Sequence, residues 1–242
     1  MSSAEPVERK ARPRHAARAV ARYTALVPQE RAMVMLLAAL CLALFVIGPI
    51  EASGLLHDGV RGVSVALVTA AGLLTLARSF RISRWLLLLA TAFMLFRVVE
   101  ISITGARHFP VLSYLFTIAS LMLLAGTLLH RVFGPGRVNS ARVVGAVAVY
   151  LLIALIFAAG YQLVQAFDPG AFSIPRSDGL VVDGQLVYFS LVTLTTTGFG
   201  EIVPVHPVAR SLVVLEAVIG QIYVAVVLAR IVALSLEHRT TR

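Results

Sequence analysis

The sequence predicts an all-α membrane protein with six transmembrane helices and a short re-entrant helix between the fifth and sixth. Three observations carry that prediction. Of 242 residues, 59% are hydrophobic and 14% charged; soluble domains run near 45–50% and about 25%, so a soluble fold would lack the polar residues to cover its surface. Apolar runs close to the roughly 20 residues that a bilayer core demands recur along the chain. Lys and Arg, finally, gather in alternate connections between those runs. A formal net charge of +9 would suit nucleic acid if it lay on one amphipathic surface. Distributed between apolar segments, it argues for membrane topology and against a nucleic-acid partner. The single Cys41 lies inside an apolar run, which leaves no disulfide framework and no cysteine metal site.

The elements follow in order. Residues 1–31 form a basic cytoplasmic segment with Arg9, Lys10, Arg12, Arg14, Arg18, Arg22 and Arg31. Its Ala- and Arg-rich part, 11–27, reads either as an interfacial helix on anionic lipid or as a disordered tail that sets topology. The first span is 32–50, with no small-residue cleavage pattern after it and hence no cleaved signal peptide. The second, 60–77, is the weakest because it holds Arg61, Gly62 and Gly72; omitting it would place basic loops on inconsistent sides. The third is 85–103, where Arg97 and Glu100 are spaced to pair on one helix face or to serve an ion or ligand response. The fourth is 110–130, which completes a four-helix unit over 32–130. A cytoplasmic linker, 131–141, leads to the domain 142–235, with spans at 142–164 and 209–235, and a tail of 236–242. One side collects fifteen Lys and Arg; the other has only Arg61, Arg107, Arg176 and Arg210. The positive-inside rule therefore puts both termini in the cytoplasm.

The region 165–208 is more than a loop. After a turn-rich stretch, an apolar segment, Leu186 to Thr196, is too short to cross a bilayer, and T-T-T-G-F-G-E follows at 195–201. Non-helical backbone at membrane depth is tolerated only where protein or a water-filled path covers it. A cation crossing lipid must exchange its water for other oxygens, and rings of backbone carbonyls can supply them. Turning successive carbonyls towards one axis requires left-handed dihedrals, which Gly198 and Gly200 adopt cheaply. Close helix packing on a glycine pair is the competing use, and G-F-G fits it poorly because packing motifs space small residues by four.

The run Y188-F-S-L-V-T-L-T-T-T-G-F-G-E201 resembles the pore helix and selectivity filter of the potassium-channel superfamily, usually written T-V-G-Y-G-D at the filter. The resemblance covers about 142–235, a prokaryotic-type two-span pore domain here preceded by four further helices. It implies a homotetrameric, potassium-selective channel in a prokaryotic plasma membrane. K+ would be held by the carbonyls of Thr196, Thr197, Gly198 and Phe199 and by the Thr196 hydroxyl, with Gly200 opening the outer mouth. Phe199 stands where Tyr is usual, keeping the bracing ring and losing its hydroxyl. Thr197 replaces Val, so its hydroxyl needs a partner. Glu201 replaces Asp and keeps a negative charge at the mouth. Val192 stands where some bacterial relatives carry a bracing Glu. Tyr188 and Phe189 match an aromatic cuff, or serve as interfacial anchors. Thr193 and Thr195 are expected to hydrogen-bond along the pore helix. Gly220 reads either as a gating hinge or as room for the pore helix to pack. Glu216, an ionisable group inside a span, either accepts hydrogen bonds behind the filter or is structural near the outer membrane boundary. Arg230 is expected to snorkel to lipid phosphates.

Other functions find less support. The fourth span has no Arg before Arg131, whereas steep voltage gating needs three to four charges per subunit. No catalytic triad, phosphate loop or nucleotide fingerprint is present, so no enzyme is expected, nor any cofactor beyond permeant K+. His206 lies near the pore entrance as a proton sensor or a plain loop residue. A weakly selective cation channel and a non-conducting scaffold or auxiliary subunit are the alternatives; the sequence names no regulatory partner.

Overall fold

The computed structural model describes residues 31, 33–53, 110–134, 140–175 and 182–240. The expected second and third spans, the Arg97–Glu100 pair and the basic stretch 11–27 lie outside the described residues. Among those described, four helices are long and apolar enough to cross a membrane: Met33–Ile50, Val111–Val132, Ser140–Phe167 and Pro207–Arg230. They match the first, fourth, fifth and sixth expected spans. In chain order the elements are α1 (Met33–Ile50), α2 (Pro110–Val132), α3 (Ser140–Phe167), β1 (Phe172–Ser173), α4 (Val182–Leu194), β2 (Val203–Pro204) and α5 (Pro207–Thr240). With 28 residues, α3 is about 42 Å long, more than a hydrocarbon core about 30 Å thick requires.

Local sequence explains the irregularities. Within α1, Ala43–Ile47 widens to a π turn, and the Gly48 N–H donates to the Ala43 carbonyl. Pro49 follows at once; it has no N–H to offer the Phe45 carbonyl and would clash with it in a regular α-helix, so the wider turn relieves both. Pro110 and Pro207 begin α2 and α5, where the missing N–H costs nothing.

The core has two parts. Towards α1, Leu36, Leu40 and Leu44 pack with Leu121, Leu124 and Leu128 of α2 and with Ala148, Val149 and Leu152 of α3. Burying a Leu is worth about 1.5–3 kcal/mol, and these residues bind α1 and α2 to α3. The second part surrounds α4. Tyr161 of α3, Phe172 of β1 and Phe189 of α4 form a ring cluster with Leu186, Ile202 and Ala209. Tyr161 and Phe172 meet edge-on at 5.3 Å between centroids, as do Phe172 and Phe189 at 5.8 Å, the geometry that aromatic quadrupoles favour. The two short strands pair antiparallel, Phe172 opposite Pro204 and Ser173 opposite Val203. They tie the chain that enters α4 to the chain that leaves the 195–201 stretch.

At the far end, Arg230 of α5 donates to the carbonyls of Phe133, at 2.6 Å, and Gly134, at 3.2 Å, and its guanidinium lies 5.3 Å from the Phe133 ring. This corrects the expectation of a side chain reaching for lipid phosphates. Carbonyls left free at the end of α2 offer a nearer and better-oriented acceptor.

Candidate functional site

The site is built on α4, which every neighbouring element holds. At its start, Tyr114 of α2 donates to the Asp183 carboxylate at 3.1 Å and Gln162 of α3 donates to the Asp183 carbonyl at 3.1 Å. Asp183 also suits the positive end of the helix dipole. At its end, the Leu194 carbonyl accepts a hydrogen bond from Tyr150 of α3 at 3.0 Å. That carbonyl presses on Gly220 of α5: a Cβ there would lie 2.4 Å from the Leu194 oxygen. Of the two uses foreseen for Gly220, the packing one has direct geometric support. Tyr150 stacks on Tyr223, with centroids 5.8 Å apart, and Tyr223 in turn donates to the Ala146 carbonyl at 2.8 Å. Two phenols thus fasten α3 to the end of α4 and to α5.

The helix stops in a specific way. The Thr196 N–H donates to the Thr193 carbonyl at 2.9 Å and the Thr197 N–H to the Val192 carbonyl at 2.9 Å. Those two bonds, with a left-handed residue between helix and exit, make a Schellman cap. Its left-handed position is filled by Thr196, at φ 56°, rather than by glycine. A branched side chain in this region costs about 1–2 kcal/mol. Gly198 follows at φ 57° and Gly200 at φ 83°. Left-handed residues therefore alternate with others over 196–200, the backbone device that turns successive carbonyls to one side. The negative end of the α4 dipole lies at the start of this stretch.

Residue by residue, the expected site divides. Thr195, Thr196, Thr197, Gly198, Phe199, Gly200 and Glu201 are all exposed in the single chain. Thr195 Oγ1 donates to the Leu191 carbonyl at 2.8 Å and lies 2.9 Å from Thr197 Oγ1; the Thr197 hydroxyl thus has its partner. Thr193 is buried. The aromatic pair separates: Phe189 enters the buried ring cluster, whereas exposed Tyr188 donates to Glu201 at 3.2 Å. Phe199 is 66% exposed, so nothing among the described residues covers its ring as the expected bracing contact would. His206 Nδ1 accepts from the Val208 N–H at 3.2 Å, a local contact at the start of α5.

Glu216 is fully buried. One carboxyl oxygen accepts from Tyr161 of α3 and the other from Ser190 of α4, and Ser190 Oγ also lies 2.6 Å from the Ala154 carbonyl. Glu216 thus joins α3, α4 and α5 behind the short helix, and one of its two donors, Ser190, belongs to that helix. Sequence reasoning did not find Tyr161 or Ser190. A Tyr or Ser in an apolar helix carries no mark of its partner. Gln221 Nε2 donates to Thr196 Oγ1 at 3.0 Å.

Two comparisons with known proteins point to ion channels. Residues 143–236 match the sequence profile of a family described as ion channel. The chain is 31% identical over 88 residues to the inward rectifier potassium channel Kirbac3.1 of Paramagnetospirillum magnetotacticum. That alignment takes in 35% of this chain and 26% of the relative, so the chain spans about a quarter of the protein it matches. No solved structure matches significantly. Residues 143–236 are therefore similar to ion channels, and the chain is a mainly helical membrane protein.

Proposed function

We propose that the chain assembles as a homotetramer into a potassium-selective channel, with the carbonyls of Thr196, Thr197, Gly198 and Phe199 and the Thr196 hydroxyl as the ion's oxygen ligands. The observation that carries this reading is the alternating left-handed backbone at Thr196, Gly198 and Gly200, directly after a 13-residue helix too short to cross a bilayer. One chain contributes one such strand, and a ring around an ion needs several. Cyclic symmetry provides it without internal repeats. The exposure of the whole 195–201 stretch supports the same assembly, because irregular backbone at membrane depth must be covered by protein or line water. On α5, Val214, Val218, Ile222 and Leu228 are exposed apolar residues free for neighbouring subunits. The site stands in a cell membrane with both termini cytoplasmic, by the distribution of Lys and Arg.

The absence of any Arg in α2 before Arg131 favours a channel with weak voltage dependence. The test is flux from potassium-loaded liposomes holding the purified protein. Wild-type protein should release K+, and Gly198→Val should abolish release while the tetramer still forms, since a branched residue at φ 57° distorts the strand. Equal release from both proteins would refute the assignment.

A further inference from the structure

We infer that Gln221 is a positioning residue for ion selection: its side-chain amide holds the Thr196 hydroxyl in place at the inner end of the filter. The inference rests on the function proposed above and adds to it a residue that the filter motif does not contain. Three observations lead to it. Thr196 occupies the left-handed position of the Schellman cap at φ 56°, where glycine would carry no steric penalty. A strained threonine in that place implies that its side chain is needed. Gln221 Nε2 donates to the hydroxyl oxygen across 3.0 Å, using one lone pair and leaving the other, with the rotatable hydrogen, for an ion or a neighbour. The third observation concerns how Gln221 reaches that spot. The adjoining Gly220 lets the Leu194 carbonyl approach α5 so closely that a Cβ would sit 2.4 Å away. Close contact at 220 sets the distance from 221 to Thr196.

A hydroxyl that only capped its own helix would bond to a carbonyl of α4, as Thr195 does. The Thr196 oxygen instead takes its donor from α5. A rotation or shift of α5 at this level would therefore reach the first oxygen layer through one hydrogen bond. In the fourfold assembly four such amides would ring the cavity just below the filter, each turning a hydroxyl oxygen to a fixed direction.

The experiment is a double-mutant cycle on the permeability ratio of K+ to Na+, measured by reversal potential for wild type, Gln221→Leu, Thr196→Ala and the double variant. Leucine keeps the bulk and removes the donor. Gln221→Leu should lower the ratio about fivefold, what one neutral hydrogen bond is worth. In the Thr196→Ala background it should change nothing further, because the oxygen it acts on has gone. Gln221→Asn, whose amide falls short by one methylene, should behave like Gln221→Leu and guards against a packing defect in either variant. A second readout separates positioning from stability. Added K+ should stabilise wild type against heat more than Na+ does, and that difference should shrink in Gln221→Leu. A selective wild type with unchanged Gln221→Leu and Gln221→Asn variants overturns the inference alone. So does a full fivefold effect retained in the Thr196→Ala background. A wild type that passes no cation, or passes K+ and Na+ equally, overturns the function proposal and the inference together.

Discussion

Replacing Gly220 by alanine separates packing from hinge more sharply than any other single change. The new methyl carbon would lie 2.4 Å from the Leu194 oxygen, 3.0 Å from Leu194 Cδ1 and 3.2 Å from the Leu194 carbonyl carbon, where ordinary contact starts at 3.4 Å. The oxygen must retreat by about 1 Å, a shift that backbone at the end of a capped helix resists. Overpacking of this kind costs about 1–3 kcal/mol. The retreat also strains the Tyr150 hydrogen bond to the same oxygen, now 3.0 Å, worth about 1 kcal/mol. Against this, alanine gains about 1 kcal/mol in helix propensity. The net expectation is a loss of about 2 kcal/mol, or roughly 4–8 °C in the thermal midpoint of the detergent-purified protein. Because the Leu194 carbonyl sits two residues before Thr196, the same variant should lower the K+ to Na+ permeability ratio. A hinge role alone would change opening frequency and leave both stability and ratio untouched. An alanine variant as stable and as selective as wild type would refute the packing argument.

Glu216→Ala should destabilise the protein by about 1–3 kcal/mol, because it leaves the buried Tyr161 hydroxyl without its acceptor, while Ser190 keeps the Ala154 carbonyl. Glu216→Gln, which keeps an acceptor for Tyr161, should lose less than half as much in the same denaturation assay. Arg230→Ala frees the Phe133 carbonyl, while the Gly134 carbonyl keeps its hydrogen bond from Arg142, and should cost about 1–3 kcal/mol by thermal denaturation. Arg230→Lys should recover only part of that, since an ammonium lacks the planar fork. Tyr188→Phe removes an exposed hydrogen bond to Glu201 and should shift stability by less than about 0.5 kcal/mol.

What the sequence disclosed about this fold follows from which signals are local. Length and apolarity marked α1, α2, α3 and α5, whose ends lie within a few residues of the expected spans. The brevity of α4 and the G-F-G spacing indicated a re-entrant element, and both Gly198 and Gly200 do adopt positive φ. Thr196 shows where such reasoning stops. A branched residue in the left-handed region contradicts local preference, so only the surrounding contacts reveal it. The partners of Glu216 were out of reach for a different reason: Tyr161 lies 55 positions before it and Ser190 26, and no periodicity links them. Arg230 was misassigned because a cation near a helix end reads equally well towards lipid or towards a carbonyl. The acceptors at Phe133 and Gly134 are 97 and 96 positions away.

The central claim is that Thr196 to Gly200 select K+, and a planar-bilayer recording tests it most directly. Purified wild-type protein would be recorded with K+ on one side and Na+ on the other, across positive and negative voltages. The account predicts a reversal potential displaced strongly towards the K+ equilibrium potential, with no steep, saturating voltage dependence of opening. A reversal potential at zero under those opposed gradients, meaning equal permeability to both ions, would contradict it.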